Sequence, residues 1–271
     1  MLNLSHRTAR KIKNLLPVTT IWWREIIRFY RQRSRLFSAI AQPLVFWILI
    51  GSGLSASFQP AGSVDGQSYI EYFYPGIVVL VLLFTSIFAT ISVVNDRREG
   101  FLQGVLVAPV PRWRIVLAQA LGGTTLALLQ GVLLLILAPM AGIQLGAASL
   151  LFTCSVMALL AFGLTNLGLL IAWRMDSTQG FHAIMNLLLI PIWLLSGAFF
   201  PSTGAPGWLA WIMKFNPLTY GLAAFRHSLY LDTTAKAFGE GPPWALSMLI
   251  TGLFCVLTYV GATLTASAQT N

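Results

Sequence analysis

The residues able to do chemistry in this chain are few and scattered. His6, His182 and His227 lie far apart, and Cys154 and Cys255 stand alone inside apolar runs. That spacing offers no clustered His/Cys/Asp/Glu set of the kind a metal needs. The sequence contains no GxxxxGK[ST] phosphate loop, no HExxH and no GxSxG. No catalytic residue, metal or cofactor is therefore expected on this chain, and a nucleotide held by a phosphate loop would sit on another one. Polar chemistry concentrates instead in Asn95–Arg114, NDRREGFLQGVLVAPVPRWR, between stretches 72–95 and 115–173 that carry no Asp, Glu, Lys or Arg. Within it Phe101, Leu102, Val105 and Leu106 share one helical face, Glu99 precedes them, and Pro109 and Pro111 stop the helix. A short amphipathic helix of this kind can float on a bilayer or seat in a groove of a partner protein.

The elements that position this segment follow from composition. The chain has 271 residues, 56% hydrophobic and only 9% charged, too few polar groups to cover a surface in water. It reads as an all-α, polytopic membrane protein. Because about 20 apolar residues cross a bilayer as a helix, six spans are expected, near 36–58, 72–95, 115–138, 149–173, 178–200 and 244–268. Pro43 and Pro191 lie inside the first and fifth, and Pro139, Gly142 and Gly146 divide the third from the fourth. Of the 17 basic residues, fourteen fall in 1–35, 96–114 and at Arg174, all on one side of a six-span chain. The positive-inside rule places that side, with both termini, in the cytoplasm. This distribution accounts for the net charge of +9 without nucleic acid as a partner.

Two further segments are expected to be helical. Residues 18–35 put Arg24, Arg28, Arg31 and Arg35 on one face and Trp22, Trp23, Ile26, Ile27, Phe29 and Tyr30 on the other. This predicts a helix in the membrane interface, arginines toward anionic headgroups, with lipid as partner. Together, 1–35 form a tail and interfacial helix and 36–271 a single membrane domain. Residues 201–243 hold two apolar periodic runs bounded by prolines, read as two short re-entrant helices at the outer leaflet. His182, six residues after Asp176, reads as part of a solvated interface pair.

In this order and spacing, four motifs resemble those of the permease subunits of type-2 ATP-binding-cassette (ABC) exporters, across nearly the whole chain. They are Tyr72–Ile77 (YFYPGI), Asp96–Leu117 around the polar island, Leu195–Pro201 (LSGAFFP) and Asn216–Arg226 (NPLTYGLAAFR). The resemblance implies a homodimer docked on two copies of a separate cytoplasmic ABC ATPase, in a bacterial inner membrane, with ATP and Mg on that partner. It implies a coupling helix around Glu99–Ala108, a connecting helix in 18–35, and re-entrant helices over 201–231. Pro75, Gly76, Gly197, Phe200, Asn216, Pro217 and Tyr220 would then line or cap the pathway. At Gln103 the sequence departs from the acidic text common in relatives.

The resemblance implies export; the absence of charge along the presumed pathway favours an amphiphilic or lipophilic substrate over a highly charged polymer, and the bare span cores argue against a proton-driven carrier. A nucleotide-independent carrier or channel is the alternative, separated from the exporter by whether a neighbouring reading frame carries a phosphate loop. A membrane-embedded enzyme or assembly factor is the third reading, and it lacks paired titratable groups at a span end. Tyr69, Tyr72, Phe73, Tyr74, Phe199, Phe200, Trp208 and Trp211 could stack on sugar rings or form an interfacial aromatic belt.

Overall fold

A computed structural model describes residues 2–31, 33–55, 69–107, 110–201, 205–232 and 241–268. Within them the side chains of 2–15, 33–40, 42, 54–55, 103 and 105–106 lie outside the description. All regular structure among the described residues is helical. The chain runs α1 (Leu2–Arg31), α2 (Arg33–Ser55), α3 (Tyr69–Ala89), α4 (Ile91–Arg98), α5 (Phe101–Val107) and α6 (Arg112–Leu135). It continues through α7 (Ala147–Ala172), α8 (Thr178–Trp193), α9 (Gly207–Phe215), α10 (Pro217–Leu229) and α11 (Trp244–Ala268).

Five helical rods are long and apolar enough to cross a membrane: Tyr69–Arg98, Arg112–Leu135, Ala147–Ala172, Thr178–Ala198 and Trp244–Ala268. The expected first span is found as α2, whose described apolar stretch is the shorter Pro43–Gly53, and residues 56–58 lie outside the described ones. Six spans are thus expected and five are established. The break between α6 and α7 falls at the expected punctuation. A single 3₁₀ turn, Ala138–Ala141, ends at Gly142, and Gly146 caps α7.

Packing follows an inside-out logic. Helix α11 buries Ser247, Thr251, Cys255, Thr258, Ala262 and Thr265, whereas Leu249, Leu253, Val256, Leu257, Val260 and Leu264 are exposed. Small side chains let helices approach closely, and large apolar ones face the solvent they prefer, which here is lipid. The opposite pattern marks α3. It is apolar all round and buried on nearly every side among α2, α6, α7, α8 and α10, as expected of a central helix. Only Thr90 separates α3 from α4, and the two form one 30-residue rod, about 45 Å long at 1.5 Å per residue. Asp96, Arg97 and Arg98 therefore ride on a rigid extension of this central rod and not on a loose loop.

Candidate functional site

At one end of the bundle, α5 hangs from the rod by a tight turn. The backbone N–H of Glu99 and of Gly100 close the end of α4 on the carbonyls of Asn95 and Arg97, at 2.9 and 3.2 Å. Gly100 adopts φ 76°, the left-handed region that disfavours side chains. The chain thereby reverses into the seven residues of α5. Phe101 is 48% exposed and Val107 86% exposed, and Glu99 and Gly104 are exposed as well. Leu102 corrects the expected face. It is buried against the bundle, where it anchors α5 and is closed to a partner. Val105 and Leu106 have side chains outside the described residues, as does the whole of Pro109. Among the described residues of α5, Phe101, Gly104 and Val107 are exposed, three residues apart on one face, and Val107 is not among the residues expected there.

Helix α1 is turned over relative to expectation. Leu16, Trp23, Ile27 and Tyr30, spaced along one face, are exposed, whereas Arg24 and Arg28 point into the molecule. Both arginines pair with the buried carboxylate of Asp96: Arg24 through Oδ2, and Arg28 through Oδ1 at 2.8 Å. The Arg24 guanidinium also lies over the Phe101 ring, 4.0 Å from its centroid, a cation–π contact onto the first residue of α5. Arg31 is exposed, and the Arg35 side chain lies outside the described residues. The physical reason for the inversion is Asp96. A buried carboxylate needs cationic partners, and no headgroup competes with two arginines already held in place. Glu25 is buried beside this pair, and that burial raises its carboxyl pKa above the usual range despite Ser92 and Arg24. Trp22 Nε1 donates to Thr125 Oγ1 at 3.0 Å and fastens α1 to α6.

The opposite end holds a second constellation, and three of the sequence motifs meet there. After Pro191, α8 loosens into a π turn, Leu194–Ala198, and the chain reverses at Gly197 with φ 83°. This leaves carbonyls without helical donors, and side chains from α3 and α10 supply them. Asn216 Nδ2 donates to Ile192 O at 2.6 Å, while its Oδ1 caps α10 by accepting from Leu218 N at 3.0 Å. Tyr72 OH and Arg226 Nη2 both donate to Gly197 O, at 2.8 and 3.0 Å, and Tyr69 OH donates to Phe199 O at 2.9 Å. From the other direction Trp193 Nε1 donates to Gly76 O at 2.8 Å. A Cβ on Gly76 would stand 2.8 Å from Ala198 O, so only glycine allows this approach. Pro217 opens α10, and Tyr220 OH donates to Lys214 O at 2.9 Å, tying α10 to α9.

These contacts revise the pathway and aromatic readings. Tyr69, Tyr72, Phe73 and Tyr74 are buried, the three tyrosine hydroxyls are engaged and the Phe73 ring packs on Tyr69, Trp193 and Phe199, so neither a sugar nor the bilayer surface meets them. Pro75, Gly76, Gly197 and Asn216 likewise build the node and are buried. Phe200 is half-buried, whereas Trp208, Trp211 and Phe215 on α9 are exposed. The apolar face of α10 is buried against α7 and α11. Asp176 pairs with Arg97 at 3.1 Å instead of His182, whose ring lies 5.1 Å from Phe88.

Between the two ends, α2, α3 and α8 enclose an open cleft of about 630 Å³. Pro43, Phe46, Ile50, Leu80, Phe84, Phe88, Ile190, Trp193 and Phe199 line it, with Thr85, His182 and Asn186 as its polar members. Among the described residues, no Asp, Glu, Lys or Arg lines it. The wall contributed by α3 belongs to the rod that carries α5.

A family model described as ABC-2 type transporter matches residues 17–230. A putative transport permease ycf38 of Cyanophora paradoxa is 32% identical over 221 residues, covering 78% of this chain and 75% of that protein. Nodulation protein J of Rhizobium meliloti (strain 1021) is 26% identical, covering 76% of this chain and 78% of its own. The inner membrane transport permease YadH of Escherichia coli (strain K12) is 24% identical, covering 78% and 82%.

Proposed function

We propose, for a chain that belongs to the ABC-2 type transporter family and serves as the membrane permease subunit of an ABC transporter, that a separate ABC ATPase seats on the exposed face of α5 and drives the bundle from there. The observation that carries this reading is mechanical. A short helix exposing Phe101 and Val107 hangs by one turn from a 30-residue rod whose other end reaches the cleft and the node at Gly76. Two copies of this chain pair across the membrane, and each receives one ATPase subunit. ATP and Mg belong to the ATPase. This chain is a transport subunit and not an enzyme.

The end that bears α5 faces the cytoplasm together with both termini, and the membrane is a bacterial inner membrane. The excess of basic residues in 1–35 and 96–114 supports that orientation. Closure of the ATPase pair on ATP displaces α5. Because a packed bundle transmits displacement as rigid shifts, the rod tilts and the cleft walls part. The transported molecule is amphiphilic or lipophilic and leaves the cytoplasm or inner leaflet through the cleft. A described lining that is mostly aromatic and aliphatic, with Thr85, His182 and Asn186 as its polar members, supports an apolar body with a hydrogen-bonding head.

A photo-crosslinking residue in place of Val107 tests the docking. Co-expressed with the ATPase subunit from the same genome, the substituted permease is expected to crosslink to that ATPase. Crosslinks to lipid alone, from a complex in which the ATPase is present, would overturn the assignment.

A further inference from the structure

The three residues that end the central rod each grip a different helix. Asp96 holds α1 through Arg24 and Arg28. Arg97 turns to the end of α7, where its Nη2 donates to Trp173 O at 2.5 Å and its Nη1 to Met175 O at 3.3 Å and Asp176 Oδ1 at 3.1 Å. Arg98 Nη1 donates to Thr178 Oγ1 at 3.4 Å, in the first turn of α8. These partners lie 68 to 80 residues away in sequence. The terminal carbonyls of a helix lack internal donors and carry the negative end of its dipole, so a guanidinium fits the end of α7 on two counts. The Asp176 carboxylate is 88% exposed and adds little, so the two carbonyls carry the Arg97 contact.

We propose that Asp96, Arg97 and Arg98 form a distributing junction, through which one displacement of α5 is delivered at the same time to α1, to the α7–α8 turn and to the rod. This rests on the docking of an ATPase at α5. The junction has two separable arms. The Asp96 arm links the rod to α1, and Arg24 on that arm also touches Phe101. The Arg97 arm links the rod to the turn before α8, which forms one wall of the cleft. These are positioning residues and touch no transported molecule. Lysine at 97 cannot replace arginine, because a single ammonium does not present the planar fork that reaches the Trp173 and Met175 carbonyls together.

Hydrogen exchange reads the two arms separately. In the permease alone, Arg97→Ala is expected to speed exchange of the hydrogen-bonded amides of Trp173, Arg174 and Met175 roughly tenfold. Residues 16–31 are expected to stay unchanged. Asp96→Asn is expected to do the reverse. In the complex with the ATPase, trapping with ATP and vanadate is expected to alter both regions in the natural protein. Arg97→Ala should abolish the response at 173–176 and keep that at 16–31. Arg97→Lys should behave like Arg97→Ala.

Both regions responding in both variants would overturn the junction, as would joint loss of both responses in either variant. Loss of the ATPase from either variant would overturn it too, since docking lies on α5. If the natural complex fails to assemble, the docking reading fails by itself, and the permease-alone result still decides the junction.

Discussion

Replacing Phe101 with aspartate is expected to separate the permease from its ATPase while leaving the permease folded. Phe101 is half exposed at the head of α5, and aspartate there removes the aromatic side chain offered to the ATPase and sets a polar group in its place. An aromatic anchor at the centre of an interface commonly contributes about 2–4 kcal/mol, so affinity should fall roughly 30- to 1,000-fold. The local fold is protected because Arg24, now over the ring, would face the new carboxylate and keep α1 in place. Co-purification and ATP hydrolysis of the complex should both drop, with the melting temperature of the isolated permease nearly unchanged. By contrast Leu102→Asp should destabilise the permease itself, because Leu102 is buried in the core. Equal effects of the two substitutions on permease stability would show that α5 is simply part of the fold.

The second large effect is expected at the opposite end. Gly76→Val would drive a side chain against Ala198, where even a bare Cβ would stand 2.8 Å from the carbonyl oxygen and 2.9 Å from the Ala198 Cβ. Backbone cannot yield as a side chain does. Overpacking of this kind costs about 1–3 kcal/mol, and separating the helices would also break the 2.8 Å bond from Trp193 Nε1 to Gly76 O. We expect about 3 kcal/mol of lost stability, near the top of that range because backbone is involved. Thermal unfolding in detergent measures it. Ala198→Gly in the same chain should restore part of the loss by removing one of the two clashing atoms. An unaltered unfolding temperature for Gly76→Val would mean that α3 and the π turn of α8 do not meet as described.

What could be read from the sequence was whatever repeats locally or punctuates the chain. The apolar rods, the break at Pro139, Gly142 and Gly146, and the short helices before and after Asn216 follow from hydropathy and from Gly/Pro chemistry. Orientation of a short helix was not readable. Leu102 and Phe101 are neighbours with similar side chains, and only the position of the bundle decides that one is core and the other surface. Helix α1 shows the same limit more sharply. Its arginine face was plain from periodicity, but its partner Asp96 lies 68 residues from Arg28, and no local pattern announces a contact of that range. The tyrosines of YFYPGI looked like interfacial residues because Tyr often is. Tyr72 instead meets the carbonyl of Gly197, as its neighbour Tyr69 meets that of Phe199, both freed because α8 unwinds there, and Tyr74 donates to Leu134 O at the end of α6. That Tyr72–Ile77, Leu195–Pro201 and Asn216–Arg226 meet at one node is a tertiary fact, though their joint presence was the signal.

The central claim is that motion applied at α5 reaches the cleft through the α3–α4 rod. It is tested most directly by distance measurement between spin labels at Phe46→Cys on α2 and Ile190→Cys on α8, with Cys154 and Cys255 replaced by serine. Phe46 and Ile190 line the cleft from opposite helices and are each 47% exposed, so labels are tolerated. In the permease–ATPase complex, trapping with ATP and vanadate should shift the distance distribution to longer values, and Phe101→Asp should abolish the shift. A distribution that stays fixed while the complex hydrolyses ATP would contradict the account.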